Sequence, residues 1–262
     1  MAEVYETSRP RRRWGRRLLA TLLVVLIVVG VALAILDRFA ASYAERVISD
    51  RVSQQVADQG ARSEKPDVSI EGVPFLTQVL AGNYQEIKIE LRDFSGPAGN
   101  GKTIKMPLLD IRAKDLRAPL EALRNGNGAI VATTVTGAGT IDYAQVTELI
   151  GQKGLKLSER DGKLVGTAPV QVLGQTFNVS GAASLTVKNG AVQVRFSEVT
   201  ADGLPNVQLV RNILDSYVER LAVDLKVPEL PLKLKVQKVE PTPAGLVVTA
   251  GATEVPLNAG GL

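Results

Sequence analysis

Residues 18–36 of this 262-residue chain, LLATLLVVLIVVGVALAIL, run for 19 positions without a charge or a proline. A helix rising about 1.5 Å per residue covers roughly 28 Å over that length, close to the thickness of a bilayer's hydrocarbon core. Ahead of the run stand Arg9, Arg11, Arg12, Arg13, Arg16 and Arg17, with Trp14 where an aromatic ring would meet the headgroups. Positive charge beside a first apolar span holds that end in the cytoplasm. The expected organisation is a basic cytoplasmic tail over residues 1–17, a membrane span over 18–36, and one domain over 37–262 on the far side. A signal peptide is the alternative, cut at Ala32-Leu33-Ala34 or near Ala40-Ala41 and releasing the domain to a periplasm-like space. Its apolar region would usually be only about 7–15 residues long, and this longer run favours the uncleaved anchor.

The formal charge of +4 is carried by the tail. Six arginines against Glu3 and Glu6 account for all of it, and of the 31 basic and 27 acidic residues, 25 of each remain beyond residue 36. A neutral domain offers no electrostatic reason to expect a nucleic-acid partner. The chain has no cysteine and no histidine. That removes the thiol nucleophile, the Ser-His-Asp triad, the histidine base and the usual zinc ligands, so neither a metal nor a cofactor is expected. Aromatic residues make up only 4% of the chain and hydrophobic ones 45%, so Val, Leu, Ile and Ala build the interior. Such an interior suits a packed core or an alkyl-chain tunnel equally well.

Beyond the span, Tyr43, Val47, Ile48, Val52 and Val56 recur at helical spacing until Gly60, so the helix is expected to continue towards Asp58. A short alternating strand, Pro66-Asp67-Val68-Ser69-Ile70-Glu71-Gly72, precedes Val73-Pro74-Phe75-Leu76-Thr77-Gln78-Val79-Leu80-Ala81-Gly82. There Pro74 suits a first helical turn, Leu76, Val79 and Leu80 share a face, and Gly82 stops the helix. Ile87, Ile89 and Leu91 then alternate with Lys88, Glu90 and Arg92 as a half-buried strand.

With Tyr84, with the Thr-rich strand from Ala129 that leads through Gly139-Thr140-Ile141-Asp142-Tyr143 into a helix, and with Gly245-Leu246-Val247-Val248-Thr249-Ala250, this order resembles the LmeA family of actinobacterial cell-envelope proteins. The resemblance covers roughly residues 40–257. It implies a phospholipid-binding domain facing the periplasm-like space, similar in plan to tubular lipid-binding folds.

Residues 96–103, Gly-Pro-Ala-Gly-Asn-Gly-Lys-Thr, match the G-x-x-x-x-G-K-[ST] phosphate loop. That loop works only between a strand and a helix, where the helix N-terminus helps to cradle phosphates. Here Ile104, Met106 and Leu108 alternate and Pro107 interrupts any helix. A hairpin is expected instead, with Lys102 a solvated loop charge and no nucleotide partner.

A short helix is expected over residues 116–123 and another after Asp142, whose spacing to Gln145 is that of a capping box. From Leu155 to Val199 a period of two, broken at Asp161-Gly162, Leu173-Gly174 and Asn189-Gly190, reads as consecutive antiparallel strands. Ser180 lacks a nucleophile-elbow context and reads as a strand-edge residue. After Leu204-Pro205, Leu209, Val210, Ile213, Leu214, Tyr217, Val218 and Leu221 form a wide apolar stripe. Lys233, Lys235 and Lys238 form a small basic ladder on the strand that follows, and a last strand covers residues 246–250.

The expected fold is α+β: a long, curved antiparallel sheet wrapped over two main helices, preceded by the transmembrane helix. The expected activity is non-enzymatic binding, transport or sensing of a membrane phospholipid in an apolar cavity, in support of envelope biogenesis. Periodicity nominates Phe75, Leu76, Val79 and Leu80 with Leu209, Ile213, Leu214 and Tyr217 as lipid-contacting residues, and any of them serves equally as ordinary core. Two other classes stay open. One is a membrane-tethered scaffold for an envelope enzyme. The other is an enzyme acting on lipid or glycan through converging carboxylates such as Asp110, Asp115 or Asp142, one of them with a raised pKa.

Overall fold

The computed structural model describes residues 14–99, 101–119, 121, 130–172, 175–188, 191–201, 223–225 and 234–257. Helix α1, Trp14–Asp58, runs without a break through the apolar stretch and its polar continuation. It is long and apolar enough to cross a membrane, with a window of mean hydropathy 3.2 that is wholly unburied. Beyond it the elements follow as β1 (Asp67–Glu71), α2 (Phe75–Ala81), β2 (Asn83–Gly99), β3 (Lys102–Arg117), β4 (Val131–Ile141) and α3 (Tyr143–Ile150). Then come β5 (Lys156–Arg160), β6 (Lys163–Val172), β7 (Gln175–Lys188), β8 (Ala191–Ala201), β9 (Val223–Leu225), β10 (Lys235–Thr242) and β11 (Gly245–Pro256).

The α+β class and the antiparallel pairing are as expected, and the strands divide between two sheets. One has six strands in the order β1-β2-β3-β4-β11-β10, the other five in the order β5-β6-β7-β8-β9. Ala41 and Val52 of α1, Phe75 of α2 and inward residues of β1–β4 and β11 form a first apolar core. Ile141, Leu246 and Val236 of the first sheet, Val146 of α3 and inward residues of β5–β8 form a second. The outer face of β2 and β3 is polar, as expected for a sheet wetted on one side. It carries ion pairs of Lys88 with Glu90, Arg112 with Asp110, and Arg112 and Lys114 with Glu86.

Strict alternation fails at a few positions, each for a conformational reason. Asp93, Asp115 and Glu254 have φ of 47°, 51° and 50°. A left-handed residue interrupts the pleat as a bulge does, so the inward face resumes after three residues instead of two. Hence Tyr84 and Ile87, Ala113 and Leu116, and Ala132 and Val135 are all buried on neighbouring strands. Leu116 and Arg117, expected in a helix, belong to the end of β3, and Ala118 and Pro119 after them are not helical; of the rest of that expected helix Glu121 is helical, and Leu120, Ala122 and Leu123 lie outside the described residues. Ser180 sits on β7, between β6 and β8, and its hydroxyl is 3.1 Å from that of Thr167; it is not at an edge.

The phosphate-loop match is a hairpin, with Gly99 paired to Lys102 and Gly101 at φ 73°. Its lysine is not merely solvated. Lys102 Nζ donates to the carbonyls of Glu148 and Leu149 at 3.0 and 2.9 Å, closing the C-terminus of α3, where helix carbonyls lack partners and favour a cation. At the other end of α3, Asp142 is the N-cap but makes no side-chain cap bond. Gln145 Oε1 accepts instead from the backbone N of Lys105 at 2.9 Å, and Tyr143 donates to the Thr242 carbonyl at 2.7 Å. The capping box is not made because its glutamine ties the helix to the hairpin.

Two stability measurements check this account. Leu164, 1% exposed in the second core, should cost about 2–5 kcal/mol when cut to alanine, read by urea denaturation. Lys102→Met should cost only about 0.3–1 kcal/mol, and Lys105→Met, whose backbone makes the contact, still less.

Candidate functional site

Two places bear on function: the junction of α1 with α2, and the inner face of the six-stranded sheet where the two cores meet. At the first, α1 stops being apolar at Asp37, which is 4% exposed. Helix α2 begins after Pro74, an N-cap residue with no side-chain oxygen to offer, preceded by a cis peptide bond. Asp37 fills the role from 39 residues away: its Oδ1 accepts from the backbone N of Leu76 at 2.7 Å. Hydrogen bonds from the Leu76 and Phe75 amides, with the neighbouring Arg38, hold this carboxyl below the usual carboxylate range. The next turns of α1 continue the attachment. Glu45 Oε1 accepts from Ile70 N at 3.0 Å, covering a backbone donor on the edge strand β1, and Ser49 donates to the Pro66 carbonyl at 2.6 Å.

Helix α2 has two apolar faces. Phe75 is buried against Tyr84, with ring centroids 6.2 Å apart, and Leu76 and Val79 pack on the first core. Leu80, expected on the same face, points outward and is 79% exposed, and Val73 just ahead of the helix is 74% exposed. The helix also holds a buried residue that its apolar pattern hides. Gln78 donates to the carbonyls of Glu71 and Gly72 at 3.2 and 3.0 Å and accepts from Gln85 N at 2.9 Å, joining β1, α2 and β2. Leu209, Ile213, Leu214 and Tyr217 lie outside the described residues.

At the second place, cross-strand pairing sets Ile89, Ile111, Gly137, Ala250 and Val236 in one row. Gly137 and Ala250 make its middle shallow, and a Cβ built on the buried Gly137 would meet, among the described residues, only Leu234 Cδ1, at 3.8 Å. Leu109, Ile111 and Val248 around it are half-buried. A separate shallow groove past Val31, Ala34, Ile35, Arg38, Phe39 and Ser42 lies wholly on α1 and opens outward. Its walls belong to the span and its boundary.

Carboxylate chemistry has poor support in this geometry. Glu90 and Asp110 do face each other across β2 and β3. The pair is neutralised by Lys88 and Arg112, and the Lys88 contact holds Glu90 below its usual range, the reverse of what a general acid needs. Asp115 and Asp142 are exposed. Of the basic ladder, Lys238 is paired with Glu240 at 2.7 Å, Lys235 is exposed, and Lys233 lies outside the described residues. Among the described residues no cluster of acidic side chains has the makings of a metal site.

The pH dependence of the α1–α2 junction follows from the lowered Asp37 value. Its contribution is complete above the ordinary aspartate pKa and is lost as pH falls through the depressed folded value. Hydrogen exchange at the Leu76 amide, taken relative to its intrinsic rate at each pH, should therefore speed up on acidification. In Asp37→Ala it should be fast already at neutral pH, with that extra acid dependence gone.

No curated protein and no solved structure matches this chain. A family model does, described as LmeA-like phospholipid-binding, and its match begins two residues before Asp37 and takes in both sheets. The resemblance seen in the short apolar motifs is thereby confirmed: over residues 35–251 the chain belongs to the LmeA-like phospholipid-binding family.

Proposed function

We propose that this protein is a non-enzymatic phospholipid binder held at the outer face of the cytoplasmic membrane by α1. Residues 1–17 lie in the cytoplasm, 18–36 cross the bilayer and 37–262 form the exported domain, which serves envelope biogenesis by presenting or carrying the lipid. The phospholipid's acyl chains lie along the inner face of the six-stranded sheet, over the Gly137–Ala250 row. The observation that carries this reading is that row: a shallow apolar strip between two separate cores, in a chain of a phospholipid-binding family. Burying an acyl chain is favourable by about 0.8 kcal/mol per CH₂, and aliphatic walls need no cofactor to achieve it.

Retention of the anchor is favoured by what α1 does after the span. A cut near Ala40-Ala41 would remove Asp37 from the start of α2 and Ala40 from the first core. The second half of α1 is structural, so the helix works best whole.

Native mass spectrometry of the full chain released from detergent micelles tests the reading. One phospholipid per protein should be retained. Gly137→Leu should lower occupancy about ten-fold, equivalent to ~1.4 kcal/mol, by filling the strip. Gly137→Ala and Ser158→Leu, the latter on an exposed position of β5, should leave it unchanged. Equal occupancy in Gly137→Leu would place the lipid elsewhere, and a folded protein that never retains lipid would turn the reading towards a scaffold.

A further inference from the structure

We propose that α2 and the two residues before it dock into the same bilayer that α1 crosses, with Val73 and Leu80 buried among headgroups and upper acyl chains, so that the domain sits flush on the membrane. The inference rests on the membrane-anchor part of the proposed function and adds a second contact to it.

Height is the first argument. Asp37 follows the last residue of the apolar run, and a helical side chain leans towards the helix N-terminus, here towards the bilayer. Its carboxylate therefore lies near the level of Leu36. The Leu76 amide is 2.7 Å from that carboxylate, which pins the start of α2 to the boundary where the span ends. Val73 stands three residues before Leu76, on the same short segment.

Surface chemistry is the second argument. Outside the span, the large hydrophobic residues exposed among the described residues are Phe39, Tyr43, Val47, Val73, Leu80 and Leu108. All but Leu108 lie on α1 just beyond the span or on the α2 segment tied to it. Phe39 is 73% exposed and about 4.5 Å further along the helix axis than Leu36, within the interfacial layer. At 100° per residue, Phe39 and Tyr43 lie on the side of α1 opposite Asp37. Beyond the span, Phe39 and, about 6 Å further along the axis, Tyr43 thus lie on one side of α1, and the α2 segment that carries Val73 and Leu80 is tied to the other side at Asp37. Such a placement suits the interface of a bilayer, where aromatic rings collect. Val73 and Leu80 have no comparable reason to face open water.

The chain's lack of cysteine allows single labels to be placed at will. Full-length Val73→Cys and Leu80→Cys, each carrying an environment-sensitive fluorophore, would be reconstituted in phosphatidylcholine–phosphatidylglycerol vesicles containing a lipid spin-labelled high on its acyl chain. Val28→Cys reports the span. Asp58→Cys, about 33 Å beyond Leu36 along α1, reports water. Quenching of at least two-fold at positions 73 and 80, as at 28 and not at 58, is the expected result. Quenching at 28 with none at 73 and 80 would overturn the docking while leaving the anchor intact. No quenching at 28 would overturn the anchor, and the docking with it.

Discussion

One helix carries two kinds of surface, and the change occurs within a single residue step. From Leu18 to Leu36 the side chains of α1 are, Thr21 apart, apolar around the whole circumference and unburied. From Asp37 the side facing the domain carries Asp37, Ala41, Glu45, Ser49 and Val52, and these contact α2, β1 and the first core. Because the helix does not break between the halves, its apolar half runs straight into the half that packs on the first core. The first sheet begins at this attachment, with its edge strand bonded to Glu45 and its first connecting helix to Asp37.

The carboxylate at this step makes the two halves compatible. The amides that open α2 have no cap in their own segment, since Pro74 has no side-chain oxygen. Left unpaired in a buried place, such donors would each cost on the order of 1–3 kcal/mol. Asp37 satisfies them and is in turn stabilised as the anion, with Arg38 beside it. A charged residue directly after a span is unremarkable in sequence, because spans commonly end in charge. The fold gives this one a partner 39 residues later, and no local pattern announces it.

That contrast runs through the whole chain. Elements whose identity is local were legible. The 19-residue run dictated a long helix, Gly60 and Gly82 ended their helices with positive φ, and alternation at Ile87, Ile89 and Leu91 or Val192 and Val194 marked inward faces. What was illegible is set by contacts distant in sequence or by backbone states that ordinary residues seldom adopt. Asp93 and Asp115 look like surface aspartates, yet in left-handed conformation they shift which residues face inward. Gln145 sits at capping-box spacing but is engaged by Lys105, and Lys102 completes a phosphate-loop pattern while serving a helix C-terminus. Phe75, Leu76, Val79 and Leu80 do fall on one short helix, as their spacing indicated. A seven-residue helix in contact with the core on one side had room for a different neighbour on the other, which the spacing of Leu80 did not disclose.

The cost of moving a phospholipid bears on why such a domain would be fastened so close to the bilayer. Two acyl chains with about 30 methylenes between them carry roughly 24 kcal/mol of hydrophobic transfer free energy. A binder separated from the membrane by water would meet much of that as a barrier, whatever its final affinity. Were α2 at bilayer level, as proposed, Val73 ahead of it and its outer residue Leu80 would form, with its inner residues Phe75, Leu76 and Val79, one short apolar path from lipid to core. Chains following that path exchange one apolar neighbour for another, so the barrier falls even though the equilibrium is unchanged. On the proposed reading the short helix would govern the rate of lipid entry, and the aliphatic strip over Gly137 how long the lipid stays.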